Sequence, residues 1–433
     1  MSFAVSTVIA LVVAFAIGAI FDINIGLLAL AAGYLVCVLF GDGTGDMLIA
    51  AVPQEYFILI VGILFLFAIA TKNGTIEKLC NKILKLVKGN RILMPFAFAL
   101  TGTLLSGLGS PGMSTAGLLA SPVSTMAKKT KMDPVLLSVA ALHGSFAGQY
   151  SPIASMGVGL IALLAYMEVK IIGLPIKVAV WNFVIQFILV VIAFVVFGGL
   201  KFIKESKNKG GSFAVDLENI GDSKFNVANW ITIASIGLLV VNVFTLNLNI
   251  GIVGFVLGII NCLFSKKDGL ADSAIIKIVP WNSIILLIGT MSLIGLMEAA
   301  GGMELIAKAI ESLNLGIFSV LLFIMLTGLI SYFSMSGPVL LAMVPLTVKY
   351  CATIGRPELI AGSIIAICIA GIMVDASPLS NSGSLFVASN AALYEDASIS
   401  QKVFKKMAGW GLFVMAFGSL LSWLLMVVLR IGG

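Results

Sequence analysis

The chain is short of charge and nearly devoid of histidine. Only 11% of its 433 residues are Asp, Glu, Lys or Arg, and His143 is the single histidine. A soluble protein carries about 25% charged residues, and so few charges could not cover the surface of a soluble fold this size. An ordinary cytosolic enzyme, a nucleic-acid binder and a disordered chain are thereby excluded. One histidine excludes His-based metal clusters such as HExxH, and the absence of a P-loop excludes ATP-driven pumping by this chain. The five cysteines (Cys37, Cys80, Cys262, Cys351, Cys368) show no CxxC spacing, and four lie in apolar runs. They read as reduced packing residues, with no disulfide framework and no zinc site. The first apolar stretch, from Phe3, has no basic n-region and no clear A-x-A exit, so it reads as a retained span and not a cleaved signal peptide. A Ser/His143/Asp375 triad can be drawn on paper, but nothing positions a nucleophile, and no enzyme is expected.

What is present is apolar: 60% of residues are hydrophobic. A crossing helix needs about 20 mostly apolar residues. Candidate spans are 3–21, 24–41, 55–71, 174–200, 227–246, 249–265, 281–299 and 409–430. Two longer apolar regions, 134–166 and 358–391, are interrupted midway by GQYSPIAS (148–155) and DASPLSNSGS (375–384). Proline removes a donor and clashes with the preceding turn, and clustered Gly, Ser and Asn supply turn chemistry, so both are expected to be broken helices. Two further segments, 91–127 and 315–348, have the Gly/Ser/Pro tips SGLGSPGMST (106–115) and SYFSMSGP (331–338). Each arm is about 15 residues, about 22 Å at 1.5 Å per residue, which is short of a bilayer core of about 30 Å. They are expected to be re-entrant hairpins. Irregular backbone at membrane depth is tolerated only where it is buried in protein or faces water, so the four interruptions mark an internal site.

The interruptions repeat. Asn24-Ile25-Gly26 recurs as Asn249-Ile250-Gly251 at an offset of 225. Pro53, Gly74, Glu77 and Pro111 recur as Pro280, Gly301, Glu304 and Pro338 at 227. Pro134 recurs as Pro357 at 223, and Ser151-Pro152 as Ser377-Pro378 at 226. The fold class read from this is an all-α polytopic membrane protein of two inverted repeats, 1–200 and 227–433, joined by a polar cytoplasmic linker, 201–226. Each repeat would hold five transmembrane helices including one broken helix, plus one re-entrant hairpin: about 10 spans plus 2 hairpins. Five crossings per half is odd, which inverts the second half. With the N-terminus outside, segments 72–91, 128–133, 201–226, 266–280 and 392–408 lie inside and carry 20 of the 26 Lys and Arg, as the positive-inside rule requires. The C-terminus is then outside as well, and the membrane is the cell's cytoplasmic membrane. Segment 75–88 is amphipathic and reads as an interfacial helix, with 303–313 a weaker counterpart.

Inverted repeats with broken helices are the architecture of secondary transporters. Helix N-termini favour anions, while unwound carbonyls and hydroxyls coordinate small cations. The side chains on offer are Ser106, Ser110, Ser114, Thr115, Gln149, Tyr150, Ser151 and Ser155 in the first half. The second half offers Ser334, Ser336, Asp375, Ser377, Ser380, Asn381, Ser382 and Ser384, with no Lys or Arg in any of the four segments. Asp375 is the one acid in a break. An ionisable residue at membrane depth is costly and functional by default: it could ligate sodium, carry a coupling proton or cap the adjacent half-helix. His143, one turn before the first break, could shuttle a proton or pack as a neutral, hydrogen-bonded group. It and Gln149 are placed behind the ligands.

The run GDMLIAAVPQEYFILIVGILFLFAIATKNGTIEKLCNKILKLVKGN, with LLSGLGSPGMST and ALHGSFAGQYSPIASMG, resembles the N-terminal half of malonate-carrier-type (MatC-like) dicarboxylate transporters. PWNSIILLIGTMSLIGLMEAAGGMELIAKAI and DASPLSNSGSL resemble the wider ion transporter superfamily, which includes divalent-anion/sodium symporters. The resemblance implies a homodimer with scaffold and transport domains, an elevator-type alternating-access cycle, two sodium sites and a small dicarboxylate such as malonate. Carried over, one cation pocket would use Ser106, Gly109, Ser110, Gly148 and Ser151. The other would use Ser334, Gly337, Asp375 and Ser377. Substrate would sit near Ser110, Ser114, Thr115, Ser155, Ser336, Asn381 and Ser382. The chain departs from those symporters at the hairpin tips: Ser110-Pro111-Gly112 and Ser336-Gly337-Pro338 stand where they carry Ser-Asn-Thr. No cofactor is expected apart from Na+ as coupling ion, and no nucleic-acid partner. Other readings left open are a sodium/proton antiporter using Asp375 and a membrane subunit of a binding-protein-dependent uptake system.

Overall fold

The computed structural model describes residues 2–21, 23–75, 78, 90–203, 224–242, 248–264, 276–277, 279, 281–312, 315–333, 336–394 and 397–431. Ser334, Cys80, Glu77, Pro280, most of the expected interfacial helix 75–88 and residues 204–223 of the linker lie outside that set. Among the described residues the chain is helical, with no strand. The first half contains α1 (Phe3–Phe21), α2 (Ile25–Phe40), a short α3 (Asp46–Ala50), α4 (Gln54–Lys72), α5 (Met94–Gly107), α6 (Gly112–Thr130), α7 (Pro134–Gly148), α8 (Ser155–Tyr166) and α9 (Leu174–Val196). The second contains α10 (Val227–Val241), α11 (Ile250–Phe264), α12 (Trp281–Ala299), α13 (Gly302–Glu311), α14 (Phe318–Phe333), α15 (Ser336–Thr353), α16 (Ile360–Met373), α17 (Asn381–Tyr394) and α18 (Ala397–Phe413). Past Phe413 the chain continues to Val428 through two wider-turned segments.

Helix starts follow local chemistry. Asn24 accepts from Gly26 N at 2.9 Å, Asp133 accepts from Val135 N at 2.9 Å, and Asn226 and Asn229 form a reciprocal cap. Each satisfies amides that have no partner inside the helix. Pro134 and Pro357 both occupy the first turn of their helices, where a missing N–H is harmless.

The stretches Leu174–Val196, Pro357–Ala391 and Gln401–Val428 are long and apolar enough to cross a bilayer. The other expected crossings are shorter apolar helices, such as Ile25–Phe40 and Phe318–Tyr332, several bounded by residues outside the described set. The expected counterpart helix at 303–313 is α13, which bends 72° away from α12. Gly301 makes that corner at φ +78°, and its repeat partner Gly74 has φ +73°. The short α3 had no counterpart in the sequence reading.

Two crossings hold the halves together. On α2, the space where a Gly26 side chain would sit is filled by the Ile285 and Leu286 backbone of α12, and Gly289 faces Gly26 in return. On α4, Gly62 faces the backbone of Gly251 on α11, and Gly251 in return faces Ile58 and Leu59 of α4. Small residues allow such backbone contact in apolar surroundings. Gly26 and Gly251 are the glycines of the repeated Asn-Ile-Gly.

Around this frame, α5 and α6 form one helical hairpin and α14 and α15 another. The arm α5 lies along α7, where a Cβ on Gly102 would be 2.7 Å from Ser145 N. The arm α6 packs along α17, so the first hairpin leans on the broken helix of the second half.

Candidate functional site

Both long apolar regions are interrupted. α7 ends at Gly148, the chain turns through 149–154, and α8 begins at Ser155. α16 ends at Met373, makes one tighter turn over Val374–Ala376, turns through 377–380 and restarts at Asn381. The second break is thus shorter than the expected 375–384. The local geometry is shared. Gly157 leaves room for the Ser151 carbonyl, and Gly383 leaves room for the Ser377 carbonyl, at the same offset of 226. Ser380 Oγ lies 2.5 Å from Asp375 O and 2.9 Å from Ser377 O, and accepts from Gly383 N at 3.1 Å. It ties the turn to the start of α17. Tyr150 OH donates to Cys368 O at 3.1 Å and joins the first break to the half-helix before the second.

The two hairpin tips and the two breaks meet at a cavity of about 100 Å³. Its walls are Pro111, Gly112 and Met113; Gln149, Ser155 and Met156; Leu286 and Leu287; Ser336 and Gly337; and Asp375, Asn381 and Ser382. The two breaks contribute matching triads: Gln149, Ser155 and Met156 sit 226 positions before Asp375, Asn381 and Ser382. Four helices begin at this cavity, at Gly112, Ser155, Ser336 and Asn381. Each helix N-terminus carries about half a positive charge, so together they present about two.

The expected substrate residues divide. Ser155, Ser336, Asn381 and Ser382 line the cavity. Ser110, Ser114 and Thr115 do not: Ser114 is exposed, and Thr115 Oγ1 donates to Ser110 Oγ at 3.0 Å in a buried pair behind the tip.

The expected cation residues divide too. In the first half, the space at Gly148 is occupied by Thr103 O, Ser106 Oγ and Gly107 N. Ser106 and Gly107 therefore adjoin the end of α7 where the first break starts, and Gly109 turns the hairpin at φ +100°. Ser106 Oγ donates to Gly102 O at 3.0 Å, and Ser151 N donates to Gly148 O at 3.0 Å. In the second half, Gly337 and Asp375 line the cavity, while Ser377 is buried behind it, its Oγ accepting from Leu379 N at 3.1 Å. Ser336 Oγ donates to Asp375 Oδ2, and Asp375 Oδ1 is buried with no protein partner.

No group of three His, Cys, Asp or Glu that could hold a metal occurs among the described residues. A cation here would rest on one carboxylate, hydroxyls and carbonyls. That oxygen set suits a hard alkali cation and not a transition metal, and the unpartnered Asp375 oxygen fits it. Gln149 reaches the cavity wall, against Gly112, and His143 is fully buried away from it.

Pro111, Gly112, Met113, Met156, Leu286 and Leu287 were not anticipated. Met156 was available from the repeat offset, as the counterpart of Ser382. The two leucines carry no local signal, because only the crossing of α12 brings them here.

A search of curated proteins finds no significant match. Among solved structures, the Alcanivorax borkumensis YdaH transporter, reported as having an unusual topology, superposes with a TM-score of 0.61 at 14% identity. The superposition covers 87% of this chain and 86% of that one. At that identity it speaks for the fold alone. The chain is a multi-pass helical membrane protein with the fold of that solved structure, and its residues 1–149 match the family model described as the N-terminus of the dicarboxylate carrier protein MatC.

Proposed function

We propose that the chain is a sodium-coupled secondary transporter that imports a small dicarboxylate, malonate or a four-carbon diacid. The carrying observation is the cavity at which four helix N-termini converge with an acid and no Lys or Arg in the wall. About two units of positive helix-end charge match a dianion. The carboxylate of Asp375 then adds a negative charge that no basic residue compensates. An uncompensated charge at membrane depth is strongly unfavourable, so the substrate would enter with cations. The buried, unpartnered Asp375 oxygen beside Ser336 is where one would bind, and Ser106 to Gly109 with Gly148 to Ser151 form the second pocket.

The two halves act in this reading as inverted repeats. The reciprocal glycine crossings, the matched cavity triads and the like positive φ at Gly74 and Gly301 support it. α1, α2, α4 and their second-half counterparts would form the scaffold of a homodimer. The hairpins and broken helices would move as one body in an elevator cycle within the cytoplasmic membrane.

Uptake of labelled malonate, succinate and related diacids into proteoliposomes, with and without an inward sodium gradient, tests this. Sodium-dependent uptake of a diacid is expected. No uptake of any diacid, with a sodium-driven pH change inside the vesicles, would replace the symporter by an antiporter.

A further inference from the structure

The single histidine has both of its nitrogens committed. Trp410 Nε1–H on α18 donates to His143 Nε2 at 2.8 Å, and His143 Nδ1 lies 2.6 Å from Gln186 Oε1 on α9. Gln186 Nε2 donates to Asn182 Oδ1 at 3.2 Å, one turn away. Asn182 Nδ2 donates to Phe146 O at 2.8 Å and faces Ala147 O at 3.3 Å. All four side chains are buried.

The direction of this chain is forced from both ends. An indole N–H can only donate, so His143 Nε2 must present its lone pair. A neutral imidazole then carries its proton on Nδ1, which must donate to an amide oxygen. That turns the Gln186 NH2 toward Asn182, and the Asn182 NH2 toward the carbonyls. A carbonyl can only accept, so the far end requires the same direction. The other histidine tautomer, or a flipped amide, would place two donors or two acceptors face to face.

The chain ends where the site begins. Phe146 and Ala147 lie in the last turn of α7, where carbonyls run out of helical donors, two and three residues before Gln149 in the cavity wall; Phe146 O also accepts from Gln149 N at 3.2 Å. The same turn of α18 also touches the second break. A Cβ on Gly411 would be 3.3 Å from Ser377 Cα, and Tyr332 OH donates to Ala408 O at 3.0 Å.

We propose that Trp410, His143, Gln186 and Asn182 form a one-way hydrogen-bond chain that positions the last-turn carbonyls of α7, from which the first break departs, and that its anchor, the turn Ala408–Gly411, holds this end of α7 in register with the second break. His143 is then a positioning residue and not a proton carrier. The functional meaning of the chain rests on the transport reading; its existence does not.

Because His143 is the only histidine, 15N-histidine labelling of the full chain reports one residue. At neutral pH a single neutral form protonated at Nδ1 is expected, the reverse of the form free imidazole prefers in water. Trp410→Phe keeps a ring beside Phe197 and Phe413, whose centroids lie 5.5 and 5.4 Å from that of Trp410, and loses the donor. It is expected to populate the Nε2–H form and to speed amide exchange over residues 146–151. Asn182→Ala should speed the same exchange while leaving the Nδ1–H form in place. Both should raise the half-saturating substrate concentration several-fold in proteoliposomes. A wild-type His143 protonated at Nε2, or charged, overturns the proposal, as does unchanged exchange at 146–151 in the folded variants. Should the wild type move no diacid, the transport reading fails, and the tautomer and exchange still decide the chain.

Discussion

Asp375 is the residue on which the coupling idea turns. Its Oδ2 accepts from Ser336 Oγ, while its Oδ1 is buried without a partner. A buried acceptor left unsatisfied costs about 1–3 kcal/mol, more when charged, so a cation bound there would offset that penalty. Asp375→Asn removes the charge and keeps the shape. Its half-saturating sodium concentration should rise at least about tenfold, equivalent to ~1.4 kcal/mol, measured as sodium-dependent uptake in proteoliposomes. Unchanged sodium dependence would take Asp375 out of the cation site.

A second residue-scale expectation concerns Asp42, in the exposed turn after α2. Its carboxylate accepts from Thr44 N at 3.1 Å, Gly45 N at 2.9 Å and Met47 N at 2.7 Å. These backbone donors, Gly45 and Met47 foremost, hold its carboxyl below the usual range. A lowered folded-state value means the stabilisation is present above the unfolded value of about 3.9 and is lost as pH falls through the folded one. The protection of the Gly45 and Met47 amides, measured against their intrinsic exchange rates, should therefore hold down to about pH 4 and be lost below it. In Asp42→Ala those amides should be unprotected at every pH.

At the scale of elements, the glycine crossings carry the frame. A Cβ on Gly26 would overlap the Ile285 carbonyl of α12, and one on Gly62 would overlap the Gly251 carbonyl of α11. Backbone cannot swing aside as a side chain can. Gly26→Ala and Gly62→Ala should each destabilise by about 1–3 kcal/mol, the ordinary range for overpacking, seen as a lower Tm in detergent. Gly237→Ala, where a Cβ meets nothing within 4 Å, should leave Tm unchanged. Equal losses at all three would mean that the crossings are not the sensitive contacts.

Elements were also where the sequence was most legible. Proline and clustered small residues act locally, so the interruptions after Gly148 and Met373 and the turn between α5 and α6 follow from the residue string. Contacts across the molecule left no such trace. Ser110 and Thr115 look like ligands in sequence, yet they spend their hydroxyls on each other. Leu286 and Leu287 look like ordinary span residues, yet they wall the cavity. His143 could be located one turn before the break, but its role depends on Trp410, which lies 267 residues away.

For the whole molecule, the ionic contacts sort themselves by the two sides that charge counting assigns. Lys406 Nζ lies 2.6 Å from Asp133 Oδ2, which joins two segments expected inside, 128–133 and 392–408. Lys78 Nζ donates to Asn229 Oδ1 at 2.9 Å, joining the end of α4 to the start of α10 where it leaves the linker. On the other side, Glu358 Oε1 lies 2.5 Å from Arg356 and 3.5 Å from Arg430, both expected outside. Cytoplasmic loops hold the excess of Lys and Arg, so the face bearing Lys128, Lys131, Lys402 and Lys406 should be the inner one. Single cysteines at Lys129 and Lys402 should react with a membrane-impermeant maleimide only in inside-out vesicles. Those at Lys170 and Arg356 should react only in right-side-out cells. The native cysteines among the described residues are all buried, and Cys80 is replaced by serine to clear the background. A reversed pattern would turn the molecule over in the membrane without changing its fold. A pattern in which Lys129 and Lys402 label from opposite sides would break the Lys406–Asp133 contact, and with it the packing of α18 against α7.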